Sequence, residues 1–251
     1  MQYHLDTIPV WEALEQSQGC LFCTLHQKLE QSELESSLGG SVMEPDARVR
    51  VNERGFCLKH HQGLYALNNR LGHALMTDSH TKELLEKLHE LVVTADDAPA
   101  RGGLLRPRKS PAPDLSAIAD GLDALAKPCV ICESIHTHMS RYFYTFLHLW
   151  KTDRSFRDKW GLSPGVCIPH AASLLRMAQE KLPRDVQREL AAAVTQKLDA
   201  TLREDESDLR WFTQKFDYRN QDKPWNNSRN ALERTIGILR GSLSEVSGKK
   251  T

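Results

Sequence analysis

The sequence is short of several features that usually announce a function. It has no excess of either charge, since 33 lysines and arginines meet 33 aspartates and glutamates. No general field therefore draws it to nucleic acid or to an anionic membrane, and any such binding has to come from a local patch. Long hydrophobic runs are missing too. The densest apolar and aromatic stretch, Tyr142 to Trp150, is nine residues long and is interrupted by Thr145 and His148. That is far below the roughly 20 residues needed to cross a bilayer, so it reads as a core helix. The opening Met1-Gln2-Tyr3-His4-Leu5-Asp6 lacks the basic segment and apolar run of a signal peptide. The expectation is a soluble, cytoplasmic protein with no membrane association.

Motifs of catalysis are equally scarce. There is no phosphate-cradling glycine loop and no His-Glu-x2-His of a zinc protease. Pro128-Cys129-x2-Cys132 looks like half of a zinc deaminase signature, but the His-x-Glu that would supply a ligand and a proton shuttle is missing. Gly161-Leu162-Ser163-Pro164-Gly165 has the letters of a nucleophile elbow. No strand pattern precedes it, and Pro164 lacks the backbone N–H an oxyanion hole would take there, so it reads as a turn. His89-Glu90 reads as a solvated helix face, and His136 and His138, two apart, fall on different faces. No catalytic residue is assigned.

What the sequence does contain is four short clusters: Cys20-x2-Cys23, Cys57-x2-His60, Cys129-x2-Cys132 and Cys167-x2-His170. They use all six cysteines. The separations repeat, with 33 residues from 24 to 56 and 34 from 133 to 166, so one metal-binding unit occurs twice. In a reducing compartment such pairs are metal ligands rather than disulfides. Three thiolates and one imidazole form a common tetrahedral zinc set that leaves no position for water, the mark of a structural rather than a catalytic site. A helix start suits the thiolate through its dipole and free N–H groups, and a Cys and a His three apart share one helix face.

The straightforward reading gives each half its own Cys3His site and two zinc ions in all, with ligands Cys20, Cys23, Cys57 and His60, then Cys129, Cys132, Cys167 and His170. The same spacings also admit exchange, the Cys-Cys pair of one half meeting the Cys-His pair of the other. Aligning the repeats removes two rival histidines, because His26 corresponds to Ile135 and His61 to Ala171. An iron–sulfur centre or a thiol switch is the competing chemistry for these residues.

No strand pattern appears, and the fold class expected is all-α, two related helical halves braced by long helices. After an extended start, Thr7 can cap a short helix with Pro9 near its first turn. Helices follow from Leu21 to Leu38, from Cys57 to Leu67, and from Arg70 to Val93, the last with Leu71, Leu75, Leu84, Leu85, Leu88 and Leu91 on a buried face. Met43 to Arg54 and Ser155 to Trp160 read as charged connections, the former with room for a short helix after Pro45. A helix from Pro183 to about Phe216 would span roughly 50 Å. Ser228 caps the last helix, Arg229 to Leu243, with Leu232, Ile236 and Leu239 facing inward. The expected division is a first zinc-binding repeat at 1–95, a linker at 96–113, a second repeat at 114–218 and a C-terminal loop, helix and tail at 219–251. Superposing His60 on His170 aligns Leu64 with Leu174 and Leu67 with Met177, as a shared buried face requires.

Two stretches could carry recognition. Arg101, Arg106, Arg108 and Lys109 form a basic cluster in the linker, a weak basis for nucleic-acid binding. Trp211 to Trp225, with Phe212, Phe216, Tyr218 and Arg219, reads first as an aromatic clamp between helices and second as a recognition surface. His4-Leu5-Asp6-Thr7-Ile8-Pro9-Val10-Trp11, Ser41-Val42-Met43-Glu44-Pro45-Asp46, Asn52-Glu53-Arg54-Gly55-Phe56-Cys57, and Lys215-Phe216-Asp217-Tyr218-Arg219-Asn220 with Pro224-Trp225 resemble an uncharacterised bacterial family of unknown function. Some of its members carry an ABC-transporter substrate-binding label. The resemblance implies a helical protein with paired Cys/His clusters and supplies no activity. The transport label sits poorly with a start that lacks an export signal. The function expected is a zinc-stabilised binding or adaptor protein with a protein partner. A redox- or metal-responsive regulator is the alternative.

Overall fold

Glycine, proline and cysteine punctuate a chain whose remaining stretches are rich in good helix formers. The computed structural model describes residues 3–96 and 114–241. Among them are eleven α-helices, three short 3-10 helices and no strand, so the all-α expectation is borne out. The helices are α1 (Tyr3–Gln16), α2 (Leu21–Leu38), α3 (Pro45–Arg54), α4 (Leu58–Ala66), α5 (Arg70–Asp96), α6 (Leu115–Ala126), α7 (Val130–Thr152), α8 (Arg154–Leu162), α9 (Ile168–Lys181), α10 (Arg184–Gln214) and α11 (Ala231–Arg240). The basic cluster Arg101 to Lys109 and the tail from Ser244 lie outside the described residues.

The chain divides into two compact units, one of Met1–Leu29 with His136–Thr251 and one of Glu30–Ile135. These are not the sequence halves. The boundaries fall inside α2 and α7 rather than in the linker.

In the first unit, the aromatic run of α7 is the core. Phe146 is fully buried, and its ring lies 5.4 Å from that of Phe22, 5.1 Å from that of Phe156 and 5.3 Å from that of Trp160. Phe156 and Trp160 sit on α8, in the stretch expected to be a charged connection. Asp153 starts this helix by accepting from the N–H groups of Ser155 and Phe156, and the two aromatics, four residues apart, share its inward face. Trp11 of α1 meets Phe156 edge to face. The helix α1 begins at Tyr3 and holds Pro9 within it, so the expected extended start is absent. The 31-residue α10 packs on α9 and α11 and buries Leu190 and Val194.

In the second unit, α5 packs chiefly on α3, with α4 and α6 also against it. Its inward face is not the leucine face. Leu71, Leu75, Leu85 and Leu88 are exposed, while Met76 is fully buried. Polar contacts lie on the face turned to α3: Arg48 donates to the Ser79 hydroxyl at 2.9 Å, and the His80 Nδ1–H donates to the Asn52 carbonyl at 2.7 Å. A similar rotation occurs in α11, where Ala231 and Ile238 are buried and Leu232 and Leu239 are exposed. Arg234 faces α10 there, 3.0 Å from Asp205 and 2.6 Å from Asp208. Ser228 is fully buried, and its hydroxyl donates to the Trp225 carbonyl. It belongs to a 3-10 turn and does not cap α11, whose N-cap is Asn230.

Candidate metal centre

Each Cys-His pair is presented in the same way. Cys57 and Cys167 are the N-cap residues of α4 and α9, with nearly equal backbone angles, φ −74° and ψ 166° against φ −77° and ψ 161°. Each His follows by three residues, within the first turn, and its ring Nδ1 returns to the sulfur, at 3.3 Å for Cys57–His60 and 3.2 Å for Cys167–His170. A glycine stands two residues before each Cys, and both have positive φ, +60° at Gly55 and +104° at Gly165. A side chain is strained in that backbone region. The shared Gly-x-Cys-x2-His pattern is a signal of the repeat that the Cys-His spacing alone does not capture. The Cys-Cys pairs open α2 and α7, with Cys20 and Cys129 just before the first helical residue and Cys23 and Cys132 in the first turn.

The eight residues come together in two groups of four, Cys20, Cys23, Cys167 and His170 in the first unit and Cys57, His60, Cys129 and Cys132 in the second. Within each group the ligand atoms all lie within 4.8 Å of one another. The two Cys3His clusters are therefore present, but the pairing is the exchanged one. Each half of the sequence contributes one pair to each cluster, which corrects the expectation that each half holds its own site. The reason lies in packing. Phe22, between Cys20 and Cys23, stacks into the α7 core, 4.3 Å from the Phe143 ring, and lies 5.9 Å from His170. In the second unit the Val130 N–H donates to the Gly55 carbonyl at 3.1 Å, and Arg54 pairs with Glu133 at 3.1 Å, which sets the Cys129 turn beside Cys57.

The geometry fits a zinc ion. Tetrahedral zinc with sulfur at about 2.3 Å requires sulfurs about 3.8 Å apart and sulfur and nitrogen about 3.5 Å apart. Cys23 and Cys167 are 3.7 Å apart, and Cys57 and Cys132 are 3.8 Å apart. The sulfur to Nδ1 distances run from 3.2 to 3.4 Å.

Without a cation, so many sulfurs cannot all ionise. Burial, reinforced by the Cys167 and Cys23 thiols, pushes Cys20 well up. Burial and the Cys129 and Cys57 thiols push Cys132 up to about 12. Cys57 is lowered: burial opposes its thiolate, but the backbone N–H of His60 and the neighbouring thiols outweigh it. For His170, burial disfavours the charged ring, yet the Cys167 and Cys23 sulfurs prevail and raise it to about 9. The two charge patterns suit an ion that replaces the shared protons.

A carboxylate that the ligand spacing does not reveal stands behind the second cluster. Glu30 Oε1 lies 3.2 Å from His60 Nε2 and 2.6 Å from Lys59 Nζ. The first cluster has aromatic surroundings instead, with the Phe143 ring 6.0 Å from that of His170. His26 and His61 are outside both clusters, as the repeat alignment expects. His61 Nδ1 is 2.8 Å from His73 Nε2, and both rings are lowered, chiefly by burial. Leu64 and Leu174, equivalent in the alignment, are both fully buried.

A protein-family profile described as a family of unknown function (DUF6062) matches residues 1–246. The chain belongs to that family. The likeness drawn from its terminal and central motifs, to a family of unknown function, is thereby borne out. No curated protein and no solved structure matches this DUF6062 chain.

The remaining candidate surface of this DUF6062 member, the stretch from Trp211 to Trp225, is built around Lys215. That side chain is buried, and its ammonium donates to the carbonyls of Asn220, Gln221 and Lys223 at 2.6, 2.8 and 2.6 Å. The Phe212 ring lies 5.9 Å from that of Trp225, and the Trp211 indole donates to the Pro224 carbonyl. Phe212 and Trp225 thus pin the loop to the end of α10, rather than clamping α10 to the last helix, whereas Phe216 and Tyr218 are exposed. A cavity of about 330 Å³ lies elsewhere in the first unit, lined by Asp6, Ser140, Arg141, Tyr144, Thr145, Met177 and Lys181. No helix among the described residues is long and apolar enough to cross a membrane.

Proposed function

We propose that the two clusters are structural zinc sites and that the protein is a zinc-stabilised binding or adaptor protein. The observation that carries this reading is the closure of both ligand sets: three sulfurs and one Nδ1 converge within 4.8 Å in each. Four protein ligands leave no coordination position for a substrate, unlike the three-ligand sets of catalytic zinc. Zinc at each site would join chain segments far apart in sequence, so its binding free energy becomes folding free energy. The chemistry it supplies is Lewis-acid neutralisation of the thiolates. Free thiols in such sets suit a reducing compartment, which supports a cytoplasmic location. The exposed rings of Phe216 and Tyr218, beside a loop whose carbonyls accept three hydrogen bonds from Lys215, are the surface proposed for a protein partner.

The test is elemental analysis of the purified protein, followed by circular dichroism during chelation. Two zinc ions per chain, and loss of helical signal on their removal, are expected. A verified metal-free protein with unchanged helicity and thermal stability would sink the structural reading.

A further inference from the structure

The two clusters have the same ligands but not the same access. In the first unit Cys20 and Cys23 are each 5% exposed and Cys167 is 0% exposed. The Phe22 and Phe143 rings flank His170, and a methyl group placed on Gly241 would lie 3.7 Å from the Cys23 sulfur, so backbone covers that thiol closely. In the second unit only Cys129 and His60 are buried, while Cys57 is half-buried and Cys132 is exposed. A small oxidant dissolved in water therefore reaches sulfur at one cluster and meets packed side chains at the other. Solvent access is what exposes a ligand thiolate to oxidation.

We infer that the second-unit cluster is a peroxide-responsive thiol switch, with Cys132 the attacked sulfur and Cys57 the resolving one, while the first-unit cluster is a permanent anchor. The inference rests on the metal-binding reading above. The Cys132 sulfur, a thiolate when it serves as a metal ligand, attacks one oxygen of hydrogen peroxide, the O–O bond breaks, and a sulfenic acid and hydroxide result. The Cys57 thiolate then attacks that sulfur, the S–S bond forms, and a second hydroxide leaves. Two solvent protons convert both hydroxides to water. Each sulfur gives up one electron to the peroxide. The Cys57 and Cys132 sulfurs start 3.8 Å apart and must close to about 2 Å, a movement open to an exposed side chain at a helix start. Only Cys129 and His60 then remain as ligands, which is too few to retain zinc.

The experiment uses the full chain loaded with zinc, its content measured first. Hydrogen peroxide is added, released metal is followed with a chromogenic chelator, and disulfides are mapped by mass spectrometry. Expected are release of one of the two ions, a Cys57–Cys132 cross-link, and recovery on adding reductant and zinc. Loss of both ions at the same rate, or a first disulfide among Cys20, Cys23 and Cys167, would overturn the inference. So would retention of both ions after Cys132 has been oxidised. Cys132→Ser is expected to abolish oxidant-triggered release. Because that variant can bind less metal at the outset, iodoacetamide labelling of the unaltered protein gives an independent reading, with Cys132 expected to react first. Failure to find any metal before peroxide is added counts against the structural zinc sites themselves; equal release from two loaded sites counts against the switch alone.

Discussion

Glu30 shows how much a single residue outside the ligand set can determine. Its carboxylate faces His60 Nε2, which favours the proton on that nitrogen and leaves Nδ1 to the sulfurs. Glu30→Gln should weaken zinc at the second cluster by about 10-fold or more. A competition titration against a chelator of known affinity reads this directly, and the first cluster should be unaffected. A matching loss at both clusters would remove Glu30 from this role. Lys215 works on a loop instead. Lys215→Met keeps the apolar stem but leaves three inward carbonyls without their donor, a loss of about 2 kcal/mol or more in urea unfolding. Neither role is legible in the sequence, because each residue acts through directional contacts that no spacing encodes.

Elements were legible where their signals are local. Helix α2 begins and ends as its composition requires, between Gly19 and Gly39. Faces were less legible. The leucines of α5 and α11 suggest inward stripes, yet the faces turned to the neighbouring helices carry Ser79, His80 and Arg234, which find polar partners there. A partner on another helix cannot be read from a helix's own periodicity. Gly55 is the element-level pivot of the second cluster. A methyl group there would run into the His80 ring and would also impose φ of +60° on a residue with a side chain. Gly55→Ala should cost more than about 1 kcal/mol and lower zinc affinity at the second cluster, checked by thermal unfolding with and without metal.

The start of α8 supplies a pH test at the same scale. Asp153 is held below its ordinary value, first by the Ser155 hydroxyl and then by the N–H groups of Phe156 and Ser155. A carboxyl with a lowered folded-state value stabilises fully above its ordinary range and loses that contribution as pH falls through the lowered value. Asp153→Ala should cost roughly 1 kcal/mol at neutral pH. Asp153→Asn should keep most of the cap while removing this part of the acid dependence, as seen in denaturation midpoints measured from neutral to acidic pH.

At the scale of the whole molecule, the two clusters join distant segments, and the zinc proposed for them predicts linked behaviour. Chelation should broaden thermal unfolding and lower its midpoint, and re-adding zinc should restore both. Unchanged unfolding in a metal-free sample would show that helix packing suffices without the ions. The sequence by itself determined the four ligand pairs and the helices that carry them. Both arise from short-range rules, a Cys and a His three apart at a helix start and glycines that end or turn a segment. It also left two ways to combine the pairs. Only the tertiary structure decided between them, because Cys23 meets Cys167 across 144 positions and Cys57 meets Cys132 across 75. Contacts so distant in the chain depend on where Phe22 is buried and on the bond between Val130 and Gly55. The same packing that joined the pairs buried one set of sulfurs and left Cys132 in solvent.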